Sequence, residues 1–297
     1  MTFLASIPSP SSGTLELGPL TIHMYGLMLL AGIAACIWIT GARWTARGGD
    51  WDLIFRVAVW GVGAGIVGAR LYHIATSWSE VYGQPDDRWY DAVAVWEGGL
   101  GVWGGIAAGA IVGSIVAHRS GASALELLDA AAPGLLVAQA IGRIGNWWNQ
   151  ELFGEPTDLP WGLEIDPLRR PDDHLLEGTF HPTFLYEGLW NLAAAGVLLL
   201  LDRRVRFRPP ALFALYVALY TAFRFFLEHL RVDPARELAG MRINAWVSLV
   251  VFVAAVAFFV WWQFLRGRGG RRRRLREPKV EPPPAMAVPR GRVRSRR

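Results

Sequence analysis

Seven apolar stretches, each long enough to cross a bilayer, occupy most of this 297-residue chain: Leu20–Thr40, Leu53–Thr76, Gly98–His118, Ala124–Trp147, Pro182–Leu201, Ala211–Leu230 and Ile243–Leu265. A hydrocarbon layer about 30 Å thick takes ~20 apolar residues in a helix and ~10 in a tilted strand. Backbone inside that layer must satisfy its own hydrogen bonds, which leaves helices or closed barrels. Runs of this length select helices. The fold class expected is therefore an all-α membrane protein, a polytopic bundle of seven transmembrane helices, with a small extracytoplasmic head at 148–180. A hydrophobic content of 53% with 15 Trp agrees, as does a positive mean hydropathy.

Three segments follow from the same pattern: an external leader at 1–19, the seven-helix domain at 20–265, and a tail at 266–297. The leader has no basic stretch and no small-residue cleavage site, so it reads as part of the protein and not as a removable signal. Thirteen of the 30 basic residues but two of the 25 acidic ones lie from Arg266 onward. That leaves the body with 17 basic against 23 acidic residues. An Arg- and Pro-rich tail with few apolar residues is expected to be disordered and to lie against anionic headgroups, in preference to nucleic acid.

Arginines also set the orientation. Arg43 and Arg47 follow the first stretch, Arg119 the third, Arg203–Arg208 the fifth and the tail the seventh, so these connections are expected on the cytoplasmic side. The N-terminus is then extracytoplasmic and the C-terminus cytoplasmic. Arg231, Arg236 and Arg242, between the sixth and seventh stretches, cut against this rule.

With depth assigned, the polar residues collect at one end. His23 and Tyr25 enter the first stretch from outside, as do Trp103 in the third and Tyr186, Glu187 and Asn191 in the fifth. Arg70 and Tyr72, Arg143 and Asn146, and Tyr220, Arg224 and Glu228 leave toward the same side. Asp129, near the inner end of the fourth, is the exception. Each charge in hydrocarbon costs at least ~2.5 kcal/mol on insertion scales, and three arginines on three helices at one depth point to a polar cavity. Arg143 and Asn146 share a helical face, with the helix expected to end near Trp147 and Trp148. A guanidinium fork with an amide beside it suits a phosphate, and this is headgroup depth. Glu228, four residues after Arg224, is suited to holding that guanidinium.

Several classes are excluded by what is missing. The lone Cys36 allows neither a disulfide nor a thiolate metal site and reads as packing. No metal site and no cofactor are expected: the six His are scattered, and there is no Walker loop, dinucleotide fingerprint or GxSxG. GVGAGIVGAR and GIAAG lie inside apolar stretches and read as close helix packing. An anion transporter also uses intramembrane arginine, but no internal repeat and no polar path across the bilayer are visible. A lipid-binding scaffold would share the phosphate grip and lack the chemistry.

Six motifs together carry a resemblance: HMYGLM at His23–Met28, GARLY at Gly68–Tyr72, WEGGLGVWGG at Trp96–Gly105, GRIGNWWNQELFG at Gly142–Gly154, HPTFLYEGLWN at His181–Asn191 and RFFLEHLRVDP at Arg224–Pro234. The chain resembles the bacterial prolipoprotein diacylglyceryl transferases from about Leu20 to Leu265. That resemblance implies an inner-membrane enzyme that moves the sn-1,2-diacylglyceryl group of phosphatidylglycerol to the lipobox cysteine of a prolipoprotein, forming a thioether and releasing glycerol phosphate. It implies that Arg143 and Arg224 bind the phosphate and stabilise the leaving group, with Glu228 at the catalytic centre. Asn146 and Glu151 would shape the headgroup site, Gly154 would permit the loop geometry, and Tyr25, His23, Arg70 and Tyr220 would line it. One departure is Trp103, where many members have a His proposed to activate the thiol. An indole accepts no proton, which leaves His23, Glu151 or the positive potential of the arginines for that task.

Overall fold

The structure, a computed structural model, describes residues 6–18, 20–78, 93 and 99–266. The basic tail beyond Arg266, the first five residues of the leader and the acidic connection containing Glu80, Asp86 and Asp87 lie outside the described residues. Among the described residues, seven helices are long and apolar enough to cross a membrane: α1 (Met24–Ala46), α2 (Trp51–Thr76), α3 (Val102–Arg119), α4 (Ala124–Asn149), α5 (Thr183–Arg204), α6 (Ala211–Glu228) and α7 (Ile243–Val260). The last continues through a π-helical turn, Trp261–Leu265.

Several helix ends differ from expectation by a few residues. The first helix begins at Met24, because Leu20–His23 forms a strand, β2, antiparallel to β1 (Thr14–Leu17) with Thr14 opposite His23. Gly18, at φ +63°, makes the turn that an L side chain would resist. The fourth helix ends at Asn149, next to the tryptophan pair where its end is expected.

Glycine sets the closest packing. Gly61, Gly65 and Gly68 of α2 face Gly104, Gly105 and Gly109 of α3, so that a Cβ added at Gly68 would lie 2.6 Å from the carbonyl oxygen of Gly104. In a bilayer, where lipid tails are as apolar as any side chain, such backbone approach is what holds two helices together. The same device joins α1 to α4: a Cβ at Gly32 would meet the Ala138 carbonyl at 2.9 Å, and one at Gly134 the Cys36 carbonyl at 3.0 Å. Cys36 is thus part of this seam, its thiol 3.9 Å from the Thr40 hydroxyl. Alanines serve at the centre, where Ala132 and Leu136 of α4 pack on Ala194, Ala195 and Leu198 of α5 and on Leu212 of α6.

Asp129, the polar residue at the other end of α4, is 2% exposed. Its Oδ1 accepts from the backbone N–H of Phe213, 2.8 Å away, in the first turn of α6. The residue at the N-cap of α6 is Pro210, which has no side-chain acceptor, so a neighbouring helix supplies the cap. Arg43 donates to the carbonyls of Asp129 and Ala130 and, with Arg47, pairs with Asp202 at 3.3 and 2.9 Å.

Between α4 and α5 the chain builds a head of two short antiparallel strands, β3 (Leu163–Glu164) and β4 (Thr179–Phe180). Ile7 runs parallel to Leu163, exchanging hydrogen bonds with Gly162 and Glu164. Phe153, Leu163, Ile165 and Phe180 form the core of the head, flanked by Ile7, Trp147, Phe184 and Val232. A third hairpin, β5 (Glu237–Leu238) with β6 (Met241–Arg242), leads into α7.

A Cβ on Gly104 would strike the Gly68 carbonyl and the Tyr72 side chain, whereas one on Gly63 of the same α2–α3 pair meets nothing within 4 Å. Overpacking of this kind costs about 1–3 kcal/mol. Gly104→Ala is expected to lower the thermal unfolding midpoint in detergent by several degrees, and Gly63→Ala to leave it in place or raise it.

Candidate active site

The site begins at the C-terminus of α4, and its geometry follows from how that helix stops. Gln150 takes the left-handed conformation, φ 51°. Its N–H bonds to the Trp147 carbonyl while the N–H of Glu151 reaches back to the carbonyl of Asn146, the two bonds of a Schellman cap. Gln150 lacks the freedom of glycine there, but its side chain is held at both ends. Its Nε2 donates to Pro10 and its Oε1 accepts from the Asp166 N–H. The cap folds Glu151 back over the last turn, where its Oε1 accepts from Asn146 Nδ2 at 2.7 Å and from Asn149 Nδ2 at 3.3 Å. Asn146 in turn accepts from Arg143 at 3.2 Å. The one-face spacing of Arg143 and Asn146 is thus realised as a relay from guanidinium to amide to carboxylate.

Glu187 connects this relay to a second helix. It sits on α5, 1% exposed. One carboxylate oxygen lies 2.5 Å from Arg143 of α4 and the other 3.2 Å from Arg224 of α6. Arg224 also pairs with Glu228 one turn along α6. Glu228, again 1% exposed, pairs with Arg231 at 3.2 Å and with Arg242 at 3.5 Å. Asp233 closes the far side with two hydrogen bonds from Arg231, at 2.6 and 2.8 Å, and one from Arg242 at 2.9 Å. Four arginines and their acids thus form one continuous network from α4 to the start of α7. Arg143, Asn146, Glu187, Arg224 and Arg231 line a narrow cleft, closed by Leu152, Thr183, Phe184 and Leu227.

The other residues expected at the site divide. Tyr25 on α1 packs against Gly145 and lies in the fields of Glu151 and Arg143. Tyr220, one turn before Arg224, lies in the fields of Glu187, Arg143 and Arg224. Gly154 bonds to the His181 carbonyl, and a Cβ there would lie 2.8 Å from His181 Cβ and 2.9 Å from the Leu230 carbonyl oxygen. Glycine is required at that position for close approach of the head to the end of α6. Arg70 is brought to a different place: it donates to the carbonyl of Gly99 at 3.1 Å, on the α2–α3 side. His23 is exposed at the entry to α1 and makes no side-chain cap. Trp103 stands 60% exposed on the first turn of α3. No group of three or more metal-ligating side chains occurs among the described residues.

Sequence reasoning left Glu187, Arg231, Asp233 and Arg242 out of the site. A signal existed for Glu187: an acid in an apolar helix at the depth of two arginines needs a cation. For the loop arginines none existed: it is the fold that leaves their side chains only 6% and 10% exposed. Their charges are matched inside the protein, which removes the conflict with the orientation rule.

Asp233 lies outside the spans. Burial raises its carboxyl, but the hydrogen bonds and charges of Arg231 and Arg242 outweigh this and hold it below the usual carboxylate range. A depressed folded value means stability that is present above the unfolded value and lost as pH falls through the folded one. The gap in unfolding midpoint between the native chain and Asp233→Asn is therefore expected to stay constant from pH 8 to about 5 and to narrow below about 4.

Comparison with known proteins came to one group. A family model described as prolipoprotein diacylglyceryl transferase matches residues 12–261. A phosphatidylglycerol–prolipoprotein diacylglyceryl transferase of Cutibacterium acnes is 48% identical over 264 residues, 89% of each chain. Proteins of the same name from Streptomyces griseus and Frankia alni are 47% and 50% identical over 257 and 252 residues. These matches take in 86% and 85% of this chain and 78% and 66% of the relatives' lengths.

Proposed function

Because the chain belongs to the prolipoprotein diacylglyceryl transferase family, we propose that the Arg143–Glu187–Arg224 layer is where that family's transfer takes place. The chain is a multi-pass transferase of the inner membrane and performs the first step of lipoprotein maturation, with phosphatidylglycerol and a prolipoprotein as its substrates. Its N-terminus and head are extracytoplasmic, and its C-terminus is cytoplasmic.

One observation carries the assignment of the site: guanidinium groups from two helices, held on one buried carboxylate, face the same cleft. In the reaction the lipobox cysteine thiol gives up its proton to solvent and its sulfur attacks the glyceryl carbon next to the phosphate. The S–C bond forms as the C–O bond breaks, and glycerol phosphate departs with the electron pair. The phosphodiester has one negative charge and the departing phosphomonoester gains a second, so a fixed cationic site favours the transition state over the ground state. Arg143 and Arg224 contact the phosphate. Asn146, turned by Glu151, adds an amide beside it. Glu187 and Glu228 act as positioning residues: buried among arginines, they hold the guanidinium planes and keep the empty site from carrying uncompensated charge. Tyr25 and Tyr220 stand near Arg143, in the fields of the charges at the cleft. The same positive potential favours the thiolate of an incoming cysteine, whose free pKa is near 8.5, so no base need replace the histidine absent at Trp103. A tail of thirteen basic residues on the cytoplasmic face suits anionic lipid.

A transporter is disfavoured by the inner half of the bundle. Packed alanine and leucine of α4, α5 and α6 lie between the arginine layer and Asp129, Arg43 and Asp202.

The test supplies purified chain in detergent with phosphatidylglycerol and a lipobox peptide, and follows peptide mass together with glycerol phosphate release. Arg143→Ala is expected to cut transfer by ~10²–10³-fold, and Arg143→Lys less. Undiminished transfer by Arg143→Ala would remove the assignment of this layer.

A further inference from the structure

Beneath the arginine layer, three helices each place a polar side chain one turn further from the head. Gln139 precedes Arg143 by four residues on α4, Asn191 follows Glu187 by four on α5, and Tyr220 precedes Arg224 by four on α6. Residues four apart share a helical face, so all three look toward the interior that holds the arginines, about 5–6 Å deeper. Gln139 Nε2 donates to the Tyr216 hydroxyl at 3.1 Å, but its Oε1 is buried without a partner among the described residues. Asn191 is the extreme case. It is 0% exposed, and neither its Oδ1 nor its Nδ2 has a hydrogen-bond partner among the described residues.

A buried amide that makes none of its hydrogen bonds destabilises the state it is in. Such groups are rare in native proteins, and each asks for a hydrogen-bonding partner. The chemistry one turn below a bound phosphate identifies that partner. In a phospholipid gripped at its phosphate, the glyceryl carbons come next along the chain and the two acyl ester carbonyls follow at about this depth. Ester carbonyls are acceptors without donors. Asn191 Nδ2 and the Tyr220 hydroxyl are donors, and beyond them the wall becomes the apolar Ala194, Ala195 and Leu198, suited to acyl chains.

We infer that Asn191, flanked by Gln139 and Tyr220, forms an ester subsite that hydrogen-bonds an acyl carbonyl of the diacylglyceryl group and so sets the depth of the reacting carbon beneath the arginines. This rests on the phosphatidylglycerol reading above. Asn191 is then a substrate-binding residue that discriminates diacyl from dialkyl lipid and takes no part in bond making.

The experiment compares phosphatidylglycerol with its dialkyl ether analogue of the same chain length, using the full chain in detergent and the lipobox peptide. The native protein is expected to favour the ester over the ether by about five- to tenfold in kcat/KM, the value of one hydrogen bond. Asn191→Leu, which keeps the volume and removes the donor, is expected to bring that ratio close to one, mainly through KM. It is also expected to leave the thermal midpoint of the lipid-free protein unchanged or higher, whereas an asparagine that holds the helices together would lower it. Asn191→Ala provides the same ratio should the leucine not be accommodated. A native ratio near one, or a ratio unchanged in the variants, overturns the subsite. Absence of transfer from both lipids by the native chain overturns the function itself, and the subsite with it.

Discussion

The carboxylate of Glu187 is the interaction on which the outer half of this bundle depends. Arg143 and Arg224 come from helices that do not adjoin in sequence, and two guanidiniums side by side in a medium of low dielectric repel strongly. One acid from the helix between them, with an oxygen for each, turns that repulsion into a three-helix joint. Glu228 repeats the arrangement with Arg224, Arg231 and Arg242. Because Glu187 and Glu228 are almost fully buried while the side chains of Arg143 and Arg224 stay 18% and 16% exposed, the negative charge is confined to the interior and these two guanidinium edges remain available at the cleft. An anion arriving there meets donors whose orientation has already been set, without the reorganisation that free side chains would need.

Much of this arrangement was legible in the chain. Seven helices follow from run length, and the depth of each polar residue follows from alternating entry and exit. Arg143, Asn146 and Arg224 could be placed at one level from spacing alone. The glycines of α2 and α3 were also readable, since their only tenable use inside an apolar helix is backbone approach. What spacing could not supply is pairing across helices. Nothing local to HPTFLYEG says that Glu187 faces both arginines, and nothing local to LRVDP says that Arg231 folds inward. Arg70 shows the same limit from the other side. It has the depth of a site residue, yet it hydrogen-bonds to the backbone at Gly99, because α2 belongs to a glycine-sealed pair with α3.

The boundary errors have a similar origin. An alternating apolar stretch such as Leu20–His23 is compatible with helix or strand until its partner is known, and here the partner is the leader itself. The end of α4 falls beside the tryptophan pair as expected, but its cap is an unusual one. Gln150, not a glycine, occupies the left-handed position, and the hydrogen bonds of its side chain to Pro10 and Asp166 lie 140 and 16 residues away in sequence. The leader, the head and the last turn of α4 are therefore a single unit, and the position of Glu151 above Asn146 depends on all three.

Helix α6 is pinned to α4 at both ends, by Asp129 at its first turn and through Glu187 at Arg224. The separation of eleven positions from Phe213 to Arg224 acts as a ruler of about 16 Å. Side-chain changes along that ruler alter one contact at a time. A residue inserted or removed within it would rotate everything beyond by about 100°, so the cap and the ion pair could no longer be made together. The number of residues between the two pins is thus held by geometry as firmly as any side chain among them is held by its contacts.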